Sequence, residues 1–90
     1  MKCNFTKHFW DRWKDRKDSF LQYEITPEKI IDFATNPDFT MPDDVFSFRE
    51  WRIKKIKGRC LKIVVEIKDD VLTIITAYFD RTLRRKGLCE

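Results

Sequence analysis

The strongest constraint on the fold is a single change of hydrophobic period along the chain. Up to Asn36 the apolar residues recur three, four or seven apart, as in Phe9, Trp13 and Phe20 and again in Ile30, Phe33 and Ala34. After Val45 they alternate with polar residues, as along Leu61-Lys62-Ile63 and Val65-Glu66-Ile67. The first pattern marks helices with one buried stripe, the second strands with one buried face.

Element boundaries have local causes. Thr6 is placed to cap a first helix running to about Ser19 or Phe20, with Trp10 beside its apolar stripe and Asp11, Arg12, Lys14 and Asp15 outward. Thr26-Pro27-Glu28 starts a second: a capping hydroxyl, a proline suited to the first helical position, and a carboxylate at the positive dipole end. Asn36-Pro37 stops it, because the residue before a proline disfavours the helical region. Residues 36–44 follow as a polar loop, then strands over 45–56, 59–68 and 71–79. Lys57-Gly58 and Asp69-Asp70 are the turns between them, and such short connections make antiparallel neighbours. Residues 2–6 are a candidate fourth strand. The expected fold is therefore α+β: two N-terminal helices packed on one face of a three- to four-stranded antiparallel β-meander, as one domain over residues 1–90.

Ninety residues supply one modest core. A hydrophobic content of 42%, with two Gly and three Pro, is globular and not disordered. No apolar run approaches the roughly 18–20 residues of a membrane span, and the N-terminus lacks a secretory signal's apolar stretch, so no membrane partner is expected. Cys3, Cys60 and Cys89 are odd in number and far apart, and His8 is the only histidine, which argues against a disulfide framework and a zinc site. Reduced thiols in a cytoplasmic protein are expected, with a Cys3–Cys89 bridge as the alternative. No cofactor is expected either: there is no Gly-rich phosphate loop, HExxH, GxSxG or paired-cysteine spacing.

The net charge of +4 is unevenly placed. Residues 19–48 hold one basic and six acidic groups, whereas residues 49–68 hold eight basic and two acidic. The basic block is Arg49, Arg52, Lys54, Lys55, Lys57, Arg59, Lys62 and Lys68. Such density suits a face that meets a large anion, with nucleic acid foremost. The plain alternative is a solvated, lysine-rich strand that resists edge-to-edge pairing.

Register decides which of these cations share a face, because a one-residue slip moves every side chain to the other side. With odd-length loops at both turns, Trp51, Ile53, Leu61, Ile63, Val65, Ile67, Val71, Ile75, Ala77 and Phe79 form one apolar face. Arg52, Lys54, Lys62, Glu66, Thr76 and Tyr78 form the other. With two-residue loops, Glu50, Arg52 and Lys54 would join Leu61, Ile63 and Val65, and burying them unpaired would be costly. The odd register is the expected one, with Lys62 opposite Thr76.

Leu61-Lys62-Ile63-Val64-Val65-Glu66, then Leu72-Thr73-Ile74-Ile75-Thr76-Ala77-Tyr78 and the basic tail Arg81-Thr82-Leu83-Arg84-Arg85-Lys86, resemble small prokaryotic domains grouped with the RelE/ParE toxin superfamily, BrnT-like members among them. Phe5-Thr6-Lys7-His8-Phe9 and the stretch from Ile25 to Asn36-Pro37 are also similar to that group. The superfamily includes endoribonucleases, ribosome-dependent or free, and gyrase poisons that are not nucleases. The resemblance implies a fold more firmly than an activity.

Metal-free RNA cleavage needs a base for the 2′-OH, cations for the phosphate oxygens and an acid for the leaving 5′-oxygen. The candidates are His8, Lys62, Thr76, Tyr78 and Arg81, with Tyr78 also able to stack on a base. Arg52, Lys54, Lys55, Lys57, Arg59, Arg84 and Arg85 are candidate nucleic-acid contacts. The leading expectation is a toxin-type RNA-binding domain, with RNA free or on the ribosome, an antitoxin as protein partner and metal-independent cleavage as the candidate activity. The alternatives are a non-catalytic binding module using the same basic face for nucleic acid or an acidic protein, and a homodimeric interaction protein.

Overall fold

Both helix starts form as their caps require. In the computed structural model, which describes all 90 residues, the Thr6 hydroxyl accepts from the Phe9 N–H at 3.1 Å and opens α1 (Lys7–Leu21). The Thr26 hydroxyl accepts from Lys29 N–H at 3.3 Å and opens α2 (Pro27–Thr35), with Pro27 in its first turn. The strands are β1 (Lys2–Phe5), β2 (Phe39–Pro42), β3 (Arg49–Ile56), β4 (Arg59–Lys68) and β5 (Val71–Phe79), and a short α3 (Arg81–Arg85) follows.

The five strands form one sheet in the order β1-β5-β4-β3-β2, with β1 parallel to β5 and every other pair antiparallel. This corrects the expected antiparallel meander under two helices: the sheet is mixed, it has five strands, and there are three helices. Each difference has a local cause. β1 runs into α1 without a reversal, and the chain is held there by Thr6, whose N–H donates to Ile74 O and whose hydroxyl donates to Ile75 O at 2.9 Å. A strand leading directly into a helix packed along β5 therefore lies parallel to β5. The loop expected over 36–44 contains β2, a four-residue edge strand ending at Pro42, a position where a missing N–H costs the ladder least. The basic tail folds because Asp80 caps it, its Oδ1 accepting from Leu83 N–H at 2.9 Å.

The hairpin register is also the one set aside on sequence. Ile56 pairs with Arg59 and Lys68 with Val71, so both loops have two residues. Their central residues all have positive φ: Lys57 48° and Gly58 81°, Asp69 50° and Asp70 63°. Two consecutive positive φ values make the turn whose twist matches that of the flanking strands. A bulge then rephases β5: Val64 pairs with Thr76 and Val65 with Ile74, leaving Ile75 as the extra residue.

The helix-covered face therefore buries Leu61, Ile63, Val65, Leu72, Ile74 and Ala77 against Phe9, Phe20, Ile25, Ile30 and Ala34. Glu50, Arg52 and Lys54 do share that face, as pairs of Val65, Ile63 and Leu61. The expected penalty is avoided because they lie at the C-terminal end of α2 with partners. The Arg52 guanidinium donates to the Glu50 carboxylate and, at 3.1 Å, to Ala34 O. Lys54 Nζ lies 3.6 Å from Asp38 Oδ1 and 3.5 Å from Asn36 O. Two cations thus serve the unpaired carbonyls of a helix end.

The opposite face carries a second, smaller cluster of Ile53, Cys60, Leu83 and Cys89, bordered by Phe39, Met41 and Trp51. Trp51 and Ile53, expected in the main core, belong here. Cys60 and Cys89 are joined in a disulfide, with Cα atoms 5.5 Å apart, and Cys3 is the free thiol. This corrects both the expected set of reduced thiols and the alternative Cys3–Cys89 pairing: α3 folds the C-terminus back onto β4, not onto β1. No helix is long and apolar enough to cross a membrane.

The Lys57-Gly58 turn gives a direct test. Gly58→Ala places a side chain at positive φ and should cost about 1 kcal/mol, although nothing lies within 4 Å of the new Cβ. Lys57→Asn puts a residue tolerant of that conformation at φ 48° and should stabilise by about 0.5 kcal/mol. Urea unfolding midpoints of the two variants should move in opposite directions.

Candidate nucleic-acid interface

Strand pairing places Lys62 on β4 between Ile53 on β3 and Tyr78 on β5, all on the face away from α1 and α2. Trp51 lies two residues from Ile53 on the same side. The Lys62 ammonium sits 3.4 Å from the centre of the Trp51 ring and 5.2 Å from that of Tyr78. Its Nζ lies 3.3 Å from Asp80 Oδ2, and the residue is only 7% exposed. Asp80 therefore uses one carboxylate oxygen to neutralise Lys62 and the other to cap α3.

At one margin, the pairing of β1 with β5 ends at Phe5 and Ile74, leaving residues 75–79 without a strand neighbour on that side. Arg16, from α1, reaches this edge. Its Nη1 donates to Thr76 Oγ1 at 3.0 Å and to Ala77 O at 3.1 Å, and its Cζ lies 5.4 Å from the centre of the Tyr78 ring. Burial first, and Arg12 second, pushes its pKa below the ordinary arginine value. The group nonetheless stays cationic at neutral pH.

At the end of β5, α3 presents Arg81, Arg84 and Arg85, all exposed, while Leu83 is buried beneath them. With Glu90, these three arginines line an open hollow of about 430 Å³. None of them, nor Arg16, takes part in any of the four ion pairs of the structure.

At the other end of the face, the loop before β3 is ordered by Asp43. Its Oδ2 accepts from the N–H groups of Phe46 at 2.8 Å and Val45 at 2.9 Å, and its Oδ1 accepts from Trp51 Nε1 at 2.9 Å. Arg49 stacks 4.5 Å from the Phe46 ring centre and pairs with Glu66 at 2.7 Å.

The structure thus brings Lys62, Thr76 and Tyr78 to one face and puts Arg81 next to it, but Lys62 lies opposite Tyr78 and not Thr76. His8 stands apart. It is exposed in the first turn of α1, which packs on the other face, and its side chain makes no hydrogen bond. The cations chosen from the basic block are divided among several environments. Arg52 and Lys54 are on the helix face, committed to α2. Arg59 stacks 4.1 Å from the Phe79 ring centre and donates to the Tyr23 hydroxyl at 3.4 Å. Lys55 and Lys57 are exposed, and Arg84 and Arg85 point outward on α3.

Sequence reasoning missed Arg16, Trp51 and Asp80. The odd register places Trp51 in the main core, where it does not lie. Asp80 carried a usable signal, an acidic cap three residues before a buried leucine. Arg16 carried none, since its role depends on where β1 ends. No protein-family model, curated protein or solved structure matches this chain.

Asp80→Asn keeps a capping oxygen but leaves the nearly buried Lys62 unpaired, and should lower stability by about 2–4 kcal/mol; adding Lys62→Met should recover most of it, as read by urea unfolding. Asp43 has its carboxyl held below the ordinary value of 3.8, chiefly by the N–H of Phe46 and then that of Val45. Its contribution is fully present above the unfolded value and is lost as pH falls through the lower folded value. Trp51 fluorescence, followed at acid pH, should therefore change below pH ~3.9. In Asp43→Asn that step should be absent.

Proposed function

We propose that this domain binds single-stranded RNA through α3 and the adjoining strip of sheet face, and that it does so without cleaving the strand. The observation that carries this reading is the group of exposed arginines at 81, 84 and 85, without carboxylate partners, beside the partly exposed ring of Tyr78. Guanidinium groups suit phosphate oxygens, and a half-exposed tyrosine suits a stacked base. The resemblance to RelE/ParE-like domains favours an RNA target among the possible large anions.

Cleavage is disfavoured by placement. Lys62 is enclosed by Trp51 and Tyr78 and neutralised by Asp80, so it has little to offer a phosphate. His8 is exposed on the first turn of α1, the helix that packs on the other face, and no hydrogen bond joins it to Lys62, Tyr78 or Arg81 as a base for the 2′-OH. An acidic protein partner, such as an antitoxin, would compete for the same α3 arginines.

The test is a titration of a labelled single-stranded RNA across ionic strength. Log affinity should fall against log salt with a slope of about −0.7 per phosphate neutralised, and Arg81→Ala/Arg84→Ala/Arg85→Ala should make that slope shallower by about two. Lys2→Ala/Lys68→Ala, exposed and paired with Val71 at the end of the sheet away from α3, should change it less. An absence of binding at low salt, or an unchanged slope in the triple variant, rejects the reading. RNA cleavage in the presence of EDTA would reject its non-catalytic part.

A further inference from the structure

The arginines of the proposed RNA site are held in place by very little. α3 is five residues long, far below the length at which a helix persists alone in water. Four attachments fix it to the sheet: the Asp80 N–H, which donates to Cys60 O at 2.8 Å; the Asp80 carboxylate on Lys62; Leu83, 3% exposed, in the small second cluster; and the Cys60–Cys89 disulfide beyond its end. Between Leu83 and Cys89, the local backbone bonds Gly87 N–H to Arg84 O and Leu88 N–H to Leu83 O hold the chain only to itself. The disulfide is thus the one covalent link between the tail and β4, and it closes a span of 29 residues that contains β5 and α3.

We propose that the Cys60–Cys89 disulfide is a redox latch, locking the α3 arginines into their binding arrangement when closed and releasing them when open. This rests on the RNA-binding reading above for its functional consequence, but not for the latch itself. Both sulfurs belong to residues that are 1–2% exposed, so opening begins with a fluctuation of the tail that admits a reductant. A dithiol reductant then acts in two steps. One of its thiolates attacks a cystine sulfur, breaking the S–S bond and forming a mixed disulfide. Its second thiol displaces the protein sulfur. Two electrons and two protons pass to the protein, leaving Cys60 and Cys89 as thiols and the reductant as its own disulfide. Such bonds persist in oxidising surroundings and are opened by cytosolic reductants, so RNA affinity would rise on oxidation. The free energy of ordering the tail, no longer borne by the covalent link, then falls on each binding event.

Arg81, Arg84, Arg85 and Lys86 are also trypsin sites, which provides a reading of tail release that does not involve RNA. The oxidised protein, its bridge confirmed by mass spectrometry, is compared with the same protein under dithiothreitol and with Cys89→Ser, a substitution near the chain end that leaves β4 intact. Trypsin should cut after residues 81–86 much faster in the reduced protein and in Cys89→Ser, while far-ultraviolet circular dichroism shows the sheet retained. RNA dissociation constants should rise by about tenfold or more in both, the scale expected when a binding segment must be ordered on contact. Equal tryptic rates in the two redox states, or three free thiols after air oxidation, overturn the latch. Faster cleavage with unchanged RNA affinity overturns its coupling to binding. Faster cleavage with no RNA binding in either state upholds the latch and removes the RNA reading.

Discussion

Lys62 is the one charged residue in the buried set, and the carboxylate that neutralises it also starts α3. Withdrawing an ammonium group from water costs several kcal/mol, which a single well-placed carboxylate and two flanking rings can offset. The consequence is geometric. Asp80 must stand where Lys62 can reach it, so the chain leaves β5 at a fixed point and in a fixed direction. Leu83 then falls over Ile53 and Cys60, and Cys89 comes within bonding distance of Cys60. The placement of the α3 arginines begins with this contact, and Leu83 and the disulfide complete it.

The same economy governs the other cations. A block of eight basic residues resembles a single charged face, yet most of it is used within the fold. Arg52 and Lys54 serve the end of α2, Arg49 pairs with Glu66, Lys62 with Asp80, and Arg59 covers Phe79. Field strength at the surface comes from charges without partners, and besides Lys55, Lys57 and Lys68 of the block these lie in the tail and along α1. Arg16 has a second use. By donating to Ala77 O at the open half of β5, it occupies an edge that would otherwise invite another strand. At the far edge, brevity and Pro42 protect β2 in the same sense.

Much of the chain could be assigned from its residues alone. Thr6, Thr26-Pro27 and Asn36-Pro37 set the helix boundaries through caps and steric exclusion, which act over three or four residues and need no distant partner. Lys57-Gly58 and Asp69-Asp70 mark the turns, and β4 and β5 follow them at the expected residues, although which of their side chains face the core differs. Of the candidate site, the common face of Lys62, Thr76 and Tyr78 was also legible, although partly by compensating errors. The loops were each one residue shorter than expected, and the bulge at Ile75 shifted β5 back.

Tertiary structure decided what depends on contact between remote segments. Whether Glu50, Arg52 and Lys54 can share a face with Ile63 turns on the α2 carbonyls that end beside them, and no strand pattern contains that information. The parallel placement of β1, the existence of β2 and the pairing of Cys60 with Cys89 each require knowing where the chain returns. Sequence by itself determined the elements, because caps, turns and hydrophobic period are local. Only the assembled sheet decided which charges are spent in holding it together and which remain free to meet a partner, because pairing across tens of residues is not written in either residue alone.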